Sequence, residues 1–259
     1  MIKAKKKYGQ NFLIDKGVIN KIIEAINPKN LDKILEIGPG LGALTSRILN
    51  KVDHIDVVEI DPDMIKILQE KLPPSKITIF PLNILEMSND AIGKYDKVIG
   101  NLPYYISSEI LLKMIKTIDN QKDLHFMLQK EVAERISSST HSKSYGRLSV
   151  MLQYFFDIEL LFDIKPESFS PPPKVTSSLV RLIPKINHEN TVKNIDSFEK
   201  LLKLSFSQKR KTIKNNLKLI LNDSELNMLA INPQDRAEML SLSDFVRIEN
   251  YIFDKIILD

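Results

Sequence analysis

What most constrains the fold is an alternation. From residue 33 to residue 128, short apolar runs of strand length take turns with stretches of helical spacing. Residues 33–37 form one such run, which stops at Gly38-Pro39-Gly40-Leu41-Gly42, and residues 43–49 then have helical spacing. Residues 54–59 are the next run, and Pro62 at the first turn predicts a helix over residues 63–72. Residues 77–80, 97–99 and 124–128 are further strand candidates, with helical stretches near Asn89 and over residues 107–118 between them. This order predicts an α/β fold, a mostly parallel sheet with helices on both faces.

From Asp157 the texture is β-like. Residues 158–162 and 177–183 read as a final antiparallel pair, split by Phe169-Ser170-Pro171-Pro172-Pro173-Lys174. Polar residues 185–191 read as a linker. Only helical periodicity follows, over residues 198–206, 212–221, 225–229 and 242–253. The expected division is a larger domain, residues 1–184, and a small all-helical domain, residues 185–259. A chain of 259 residues needs neither disulfide nor metal to fold. Having no Cys excludes a disulfide scaffold, a Cys nucleophile and a thiolate metal site. His54, His125, His141 and His188 are well separated, so no metal site is expected.

The formal net charge of +4 is too mild to name a partner, but it is unevenly spread. Residues 1–7 hold four Lys and no acid; residues 185–218 hold nine Lys or Arg against three acids, and residues 219–259 three against eight. The run Gln208-Lys209-Arg210-Lys211-Thr212-Ile213-Lys214-Asn215-Asn216 is dense enough to predict a phosphate-binding helix in place of an ordinary solvated face. No apolar run of signal-peptide length follows the basic start, and no stretch approaches the roughly 20 apolar residues of a membrane span, so a cytoplasmic location is expected.

Two motifs carry chemistry. Glycines at the carboxyl end of the first strand let a ligand approach the backbone, and the helix after them presents free N–H groups. Glu59 ends the next strand, at a spacing where an acid accepts from both hydroxyls of a ribose. Both features also suit a plain strand-to-helix turn with a surface acid, and NAD stays open beside other adenosine cofactors. The sharper signal is Asn101-Leu102-Pro103-Tyr104, directly after a strand. The Asn101 side-chain oxygen and the carbonyl of Leu102, before Pro103, can both accept from an exocyclic amino group, which holds its lone pair out of the ring. Tyr104 offers a flat face for a base, a stacking contact of roughly 1–3 kcal/mol. An ordinary Asx turn with a core aromatic would share the pattern.

Together these residues resemble the amino-directed, S-adenosylmethionine-dependent nucleic-acid methyltransferases, and within them the small-subunit rRNA adenine dimethyltransferase family. The resemblance covers almost the whole chain. Beyond the two motifs it includes Tyr8-Gly9-Gln10-Asn11-Phe12-Leu13, Val58-Glu59-Ile60-Asp61, Phe169 to Ser177 and Ser205 to Ile213. It implies a Rossmann-like methyltransferase sheet and S-adenosylmethionine as cofactor. In the cofactor set it places Asn11 and Leu13 as closing residues, Gly38 at the methionine part, Glu59 at the ribose, and Gly40 and Ile60 beside them. Asn101 would serve both cofactor and target. Where the family has an Asp that accepts from the cofactor's adenine amino group, this chain has Asn83, which accepts without charge. Tyr104 and Phe169 would sandwich a flipped adenine, and Lys209, Arg210, Lys211 and Lys214 would contact phosphates. The implied reaction is dimethylation of two adjacent adenosines near the 3′ end of small-subunit rRNA in a pre-ribosomal particle, by a monomer. The rivals are a large-subunit rRNA methyltransferase of the macrolide-resistance type and a non-catalytic nucleic-acid-binding relative.

Overall fold

The computed structural model describes residues 5–185 and 191–258; residues 186–190 of the expected linker, with His188, and the start of the basic N-terminal run lie outside them. Among the described residues there are nine strands: β1 (Phe12–Leu13), β2 (Ile34–Ile37), β3 (Ile55–Val58), β4 (Ile77–Phe80), β5 (Lys97–Asn101), β6 (Asp123–Gln129), β7 (Phe156–Ile164), β8 (Phe169–Ser170) and β9 (Ser177–Pro184). Seven form one sheet in the order β4-β3-β2-β5-β6-β9-β7. Strands β2 to β6 pair in parallel, and β9 runs antiparallel to β6 with Phe126 opposite Val180. The expected neighbours 158–162 and 177–183 do lie side by side, as β7 and β9. All four residues of β2 are buried, the pattern of a strand covered on both faces.

Helices α1 (Lys16–Ile26), α2 (Thr45–Ile48), α3 (Pro62–Lys71), α4 (Asn89–Ile92) and α5 (Ser107–Met114) connect the early strands, and α6 (Lys130–Ile136) and α7 (Arg147–Phe155) follow β6. Helix α1 forms because the Asp15 carboxylate accepts from Gly17 N (2.8 Å) and Val18 N (3.1 Å), and because Ile19, Ile22, Ile23 and Ile26 make one buried stripe. Strand β2 lies between β3 and β5, so the chain walks outward to β4 and then returns to the other side. That reversal opens a crevice at the carboxyl ends of β2 and β5, the place where open α/β sheets bind ligands.

The chain divides into two compact units, one of Met1–Ala133 with Asp157–Pro184 and one of Glu134–Phe156 with Lys185–Asp259. The expected division was two continuous stretches, 1–184 and 185–259; here residues 134–156 join the C-terminal unit. The reason is packing within that unit. Tyr154 of α7 lies 5.2 Å from Phe198 between ring centroids, and its hydroxyl accepts from Val192 N at 3.0 Å. The remaining helices of this unit are α8 (Ile195–Ser205), α9 (Ile213–Leu217), α10 (Asp223–Met228) and α11 (Leu242–Leu258), around a core that includes Phe198 and Phe245.

Candidate functional site

The crevice is a cavity with about 1060 Å³ of empty space, counting its open mouth. Its floor is the end of β2 and the glycine turn. Gly38 (φ 65°) and Gly40 (φ 54°) hold left-handed backbone that side chains other than glycine adopt only at a cost, and a Cβ on Gly40 would stand 3.0 Å from the Phe12 ring. Helix α2 is shorter than the expected 43–49, because the turn runs on through Leu44.

Glu59, at the end of β3, is almost fully buried. Its Oε2 accepts from Gly40 N at 3.2 Å, and its Oε1 accepts from the N–H groups of Ile60 and Asp61, both at 2.9 Å. Burial raises its pKa, and the three N–H donors work against that rise. A carboxylate fixed this way faces the cavity as an acceptor, which suits ribose hydroxyls.

Glu36 also lines the cavity, although nothing in the sequence around it marks it for the site. Its Oε2 accepts from Thr45 Oγ1 at 2.6 Å, and burial pushes its pKa up to about 7. The folded state therefore binds a proton that the unfolded chain, with a pKa near 4.5, gives up earlier. The stabilisation is whole below pH 4.5 and is lost as pH rises toward 7. Between those values wild type should lose up to about 3 kcal/mol relative to Glu36→Gln. Urea unfolding of both proteins at pH 5 and pH 8 reads this difference, and an equal gap at the two pH values would contradict it.

Asn101 ends β5 and lines the same cavity. Its Nδ2 donates to the main-chain oxygen of Asn11 at 2.9 Å, which leaves Oδ1 as the amide's acceptor end. The following loop is held by Leu102 N donating to Met127 O (3.2 Å) and by Ile106 N donating to Pro103 O (3.2 Å). The Tyr104 hydroxyl and the buried Ser177 Oγ share a hydrogen bond of 2.7 Å, which fixes the ring; burial raises the Tyr104 pKa, so it stays neutral. Asn83 lines the cavity too, and its Oδ1 accepts from Leu85 N at 3.1 Å, so one lone pair of its carbonyl is already used.

The structure thus gathers the expected cofactor residues Asn11, Leu13, Gly38, Gly40, Glu59, Ile60, Asn83 and Asn101 around one cavity, with Leu102, Pro103 and Tyr104 beside them. Phe169, expected as the second face of an adenine sandwich, is not among the lining residues. It is 2% exposed and sits in the hydrophobic core with Ile99 and Met127, because β8 pairs with β1 and sets Phe169 opposite Leu13. To reach a base, its ring would have to leave that core. Tyr105, absent from the expected site residues, is 63% exposed and does line the cavity. Its signal was present as the second aromatic after Pro103.

In the C-terminal unit the basic run is helical only from Ile213 on, where α9 begins. Lys209, Arg210 and Lys211 are exposed in a turn before α9, because Thr212 has extended backbone (φ −69°, ψ 160°) and Asn216 Nδ2 donates to Ser205 O at 2.6 Å. Lys209 Nζ donates to Lys143 O (3.1 Å), and Lys214, on α9, pairs with Asp223 at 3.2 Å. No group of three or more His, Asp or Glu among the described residues could hold a metal, and none of their helices is long and apolar enough to cross a membrane.

A family model for ribosomal RNA adenine dimethylases matches residues 1–254. The chain belongs to that family. Its relatives include a ribosomal RNA small subunit methyltransferase A of Neisseria gonorrhoeae, 46% identical over 253 residues that cover 98% of each chain. The protein of that name in Dechloromonas aromatica is 45% identical over 249 residues, 96% of this chain and 98% of its own. A dimethyladenosine transferase from Plasmodium falciparum superposes with a TM-score of 0.80 at 28% identity, over 94% of this chain and 98% of that one. The 23S rRNA methyltransferase ErmE shares the fold at a TM-score of 0.71 and 23% identity, over 94% and 100% of the two chains. The two sequence relatives named here are small-subunit enzymes, and the likeness to the 23S rRNA enzyme is one of fold.

Proposed function

We infer that this adenine dimethylase uses S-adenosylmethionine to methylate the exocyclic amino nitrogens of two adjacent adenosines near the 3′ end of small-subunit rRNA, as a step in ribosome biogenesis. The observation that carries the reading is the Asn101 amide. It is anchored on Asn11 O with its oxygen end free, in the cavity that Glu59 and the glycine turn also line.

The residues present fit the cofactor. Glu59 would take the ribose hydroxyls, the left-handed glycines leave room for the methionine part, and Ile60 and Asn83 would border the adenine. When bound, S-adenosylmethionine supplies a methyl group already activated on a sulfonium. The protein's task is mainly placement. Asn101 Oδ1 and the Leu102 carbonyl accept the two amino hydrogens and hold the nitrogen lone pair toward the methyl, while Tyr104 supports one face of the base. Such positioning can lower a barrier by roughly 7–11 kcal/mol. The proton leaves after the methyl has arrived, so no strong base is required. The target adenine must be extruded from its stack to enter.

The physiological substrate is a pre-ribosomal particle, met by a monomer in the cytoplasm, with Lys209, Arg210 and Lys211 on phosphates. Lys214, engaged with Asp223, would have to exchange partners to join them. Lys209→Ala with Arg210→Ala should weaken RNA binding and flatten its salt dependence by about 0.7 slope units per lost single-strand contact. Filter binding across a salt series measures this, and an unchanged slope returns the run to an ordinary solvated turn. Offering labelled S-adenosylmethionine with immature small subunits and, separately, with large subunits tests the substrate choice. Label should enter the small subunit alone; label confined to the large subunit would overturn it.

A further inference from the structure

Two motif residues have no task in the chemistry above, Gln10 and Asp61. The fold brings them together across 51 residues of sequence: Gln10 Nε2 donates to Asp61 Oδ2 at 2.8 Å. Gln10 Oε1 accepts from Lys5 N at 2.8 Å, and Lys5 Nζ donates to Asp61 Oδ1 at 2.6 Å. The Asp61 side chain is fully buried, and it also caps α3 by accepting from Asp63 N at 3.1 Å. The N-terminal segment is therefore clasped on one carboxylate, which stands on the same turn as Glu59, since Asp61 N donates to Glu59 Oε1.

The residue after Gln10 is Asn11, whose carbonyl receives Asn101 Nδ2. A carbonyl oxygen can only accept, so this contact forces the Asn101 amide to turn its nitrogen there and its oxygen away. The terminal torsion of an Asn side chain is broad and roughly two-fold, so without Asn11 the amide could present N–H donors to an amino group.

We propose that Gln10 and Asp61 are positioning residues for methyl transfer, whose hydrogen bond seats the Asn11 carbonyl so that it fixes the orientation of the Asn101 amide. This rests on the reading of Asn101 as the acceptor of the target amino group. Gln10 acts through Asn11 and Asn101 and touches no reacting atom. A loosened clasp that merely weakened cofactor binding would be overcome by saturating cofactor; a misoriented Asn101 would not.

The test is Gln10→Leu, which keeps the side chain's bulk and leaves Asp61 its bonds to Lys5 and Asp63 N. With immature small subunits and saturating S-adenosylmethionine, kcat should fall about 10- to 100-fold, the scale of misplacement effects. A second variant, Gln10→Glu, sets a carboxylate against Asp61 at neutral pH, with Lys5 and Asp63 the other charged groups in the clasp. Protonation restores an O–H donor toward Asp61 and a carbonyl for Lys5 N, so its kcat relative to wild type should recover toward pH 5. Wild-type kcat in Gln10→Leu, beside an active wild type, overturns the clasp and leaves the function standing. If Gln10→Leu does not fold, a Gln10→Glu ratio independent of pH overturns it instead. A wild type that transfers no methyl group overturns the function itself.

Discussion

Asn101→Ala should lower methyl transfer at saturating cofactor by about 10²–10³-fold, the range seen when one positioned polar group is removed from a reacting centre. Ala keeps the end of β5 and its ladder but deletes the acceptor that Asn11 holds in place. The Leu102 carbonyl would remain as an acceptor, so the target nitrogen loses one of two restraints. Single-turnover transfer of labelled methyl groups, with S-adenosylmethionine affinity measured separately by calorimetry, reads the two contributions apart. The rate should collapse while the protein keeps its fold and still binds cofactor. A rate within a few-fold of wild type would mean that the amide does not act on the target.

Gly100→Ala, one residue earlier, should have the largest effect on stability. A Cβ there would lie 2.6 Å from Ile37 O, 3.2 Å from Ile37 Cβ and 3.3 Å from Leu102 Cδ2. The nearest of these is backbone in the adjacent strand, where Ile37 is paired with Gly100, and it cannot swing aside as a side chain would. Relief requires β2 and β5 to separate in the middle of the sheet. Overpacking of a core typically costs 1–3 kcal/mol, and here the loss should be about 3 kcal/mol or more. The same shift displaces Asn101, so the folded fraction should also lose activity. Urea unfolding followed by circular dichroism gives the midpoint; a midpoint unchanged from wild type would contradict the packing described.

The strands that build the site were legible because parallel strands covered on both faces are written as unbroken apolar runs, as in Ile34–Ile37, and the glycine turn because left-handed backbone selects its own residue type. Helix α1 had equally local signals, Asp15 and the stripe from Ile19 to Ile26, which the alternation farther along overshadowed. What could not be read locally depends on distant partners. Phe169 is drawn into the core by two two-residue strands, too short to leave a periodic trace. Residues 134–156 belong with the C-terminal unit through the contacts of Tyr154 with Phe198 and Val192, which no spacing in their own stretch announces. The basic run looked helical from its charge density, whereas Asn216 ties the part before α9 back to Ser205 O as a turn. Glu36 lies within the apolar run of residues 33–37 with no local mark of its role, because burial, which sets its proton affinity, is a property of the fold.

The positions that receive the methyl groups are the most direct readout of this chemistry. Immature small subunits incubated with the protein and methyl-labelled S-adenosylmethionine should yield, on nuclease digestion and mass spectrometry, adenosines carrying two methyl groups on the exocyclic nitrogen, at two adjacent positions near the rRNA 3′ end. Asn101→Ala should yield almost none. Label absent from those adenosines, or found at a base other than adenine, would contradict the account.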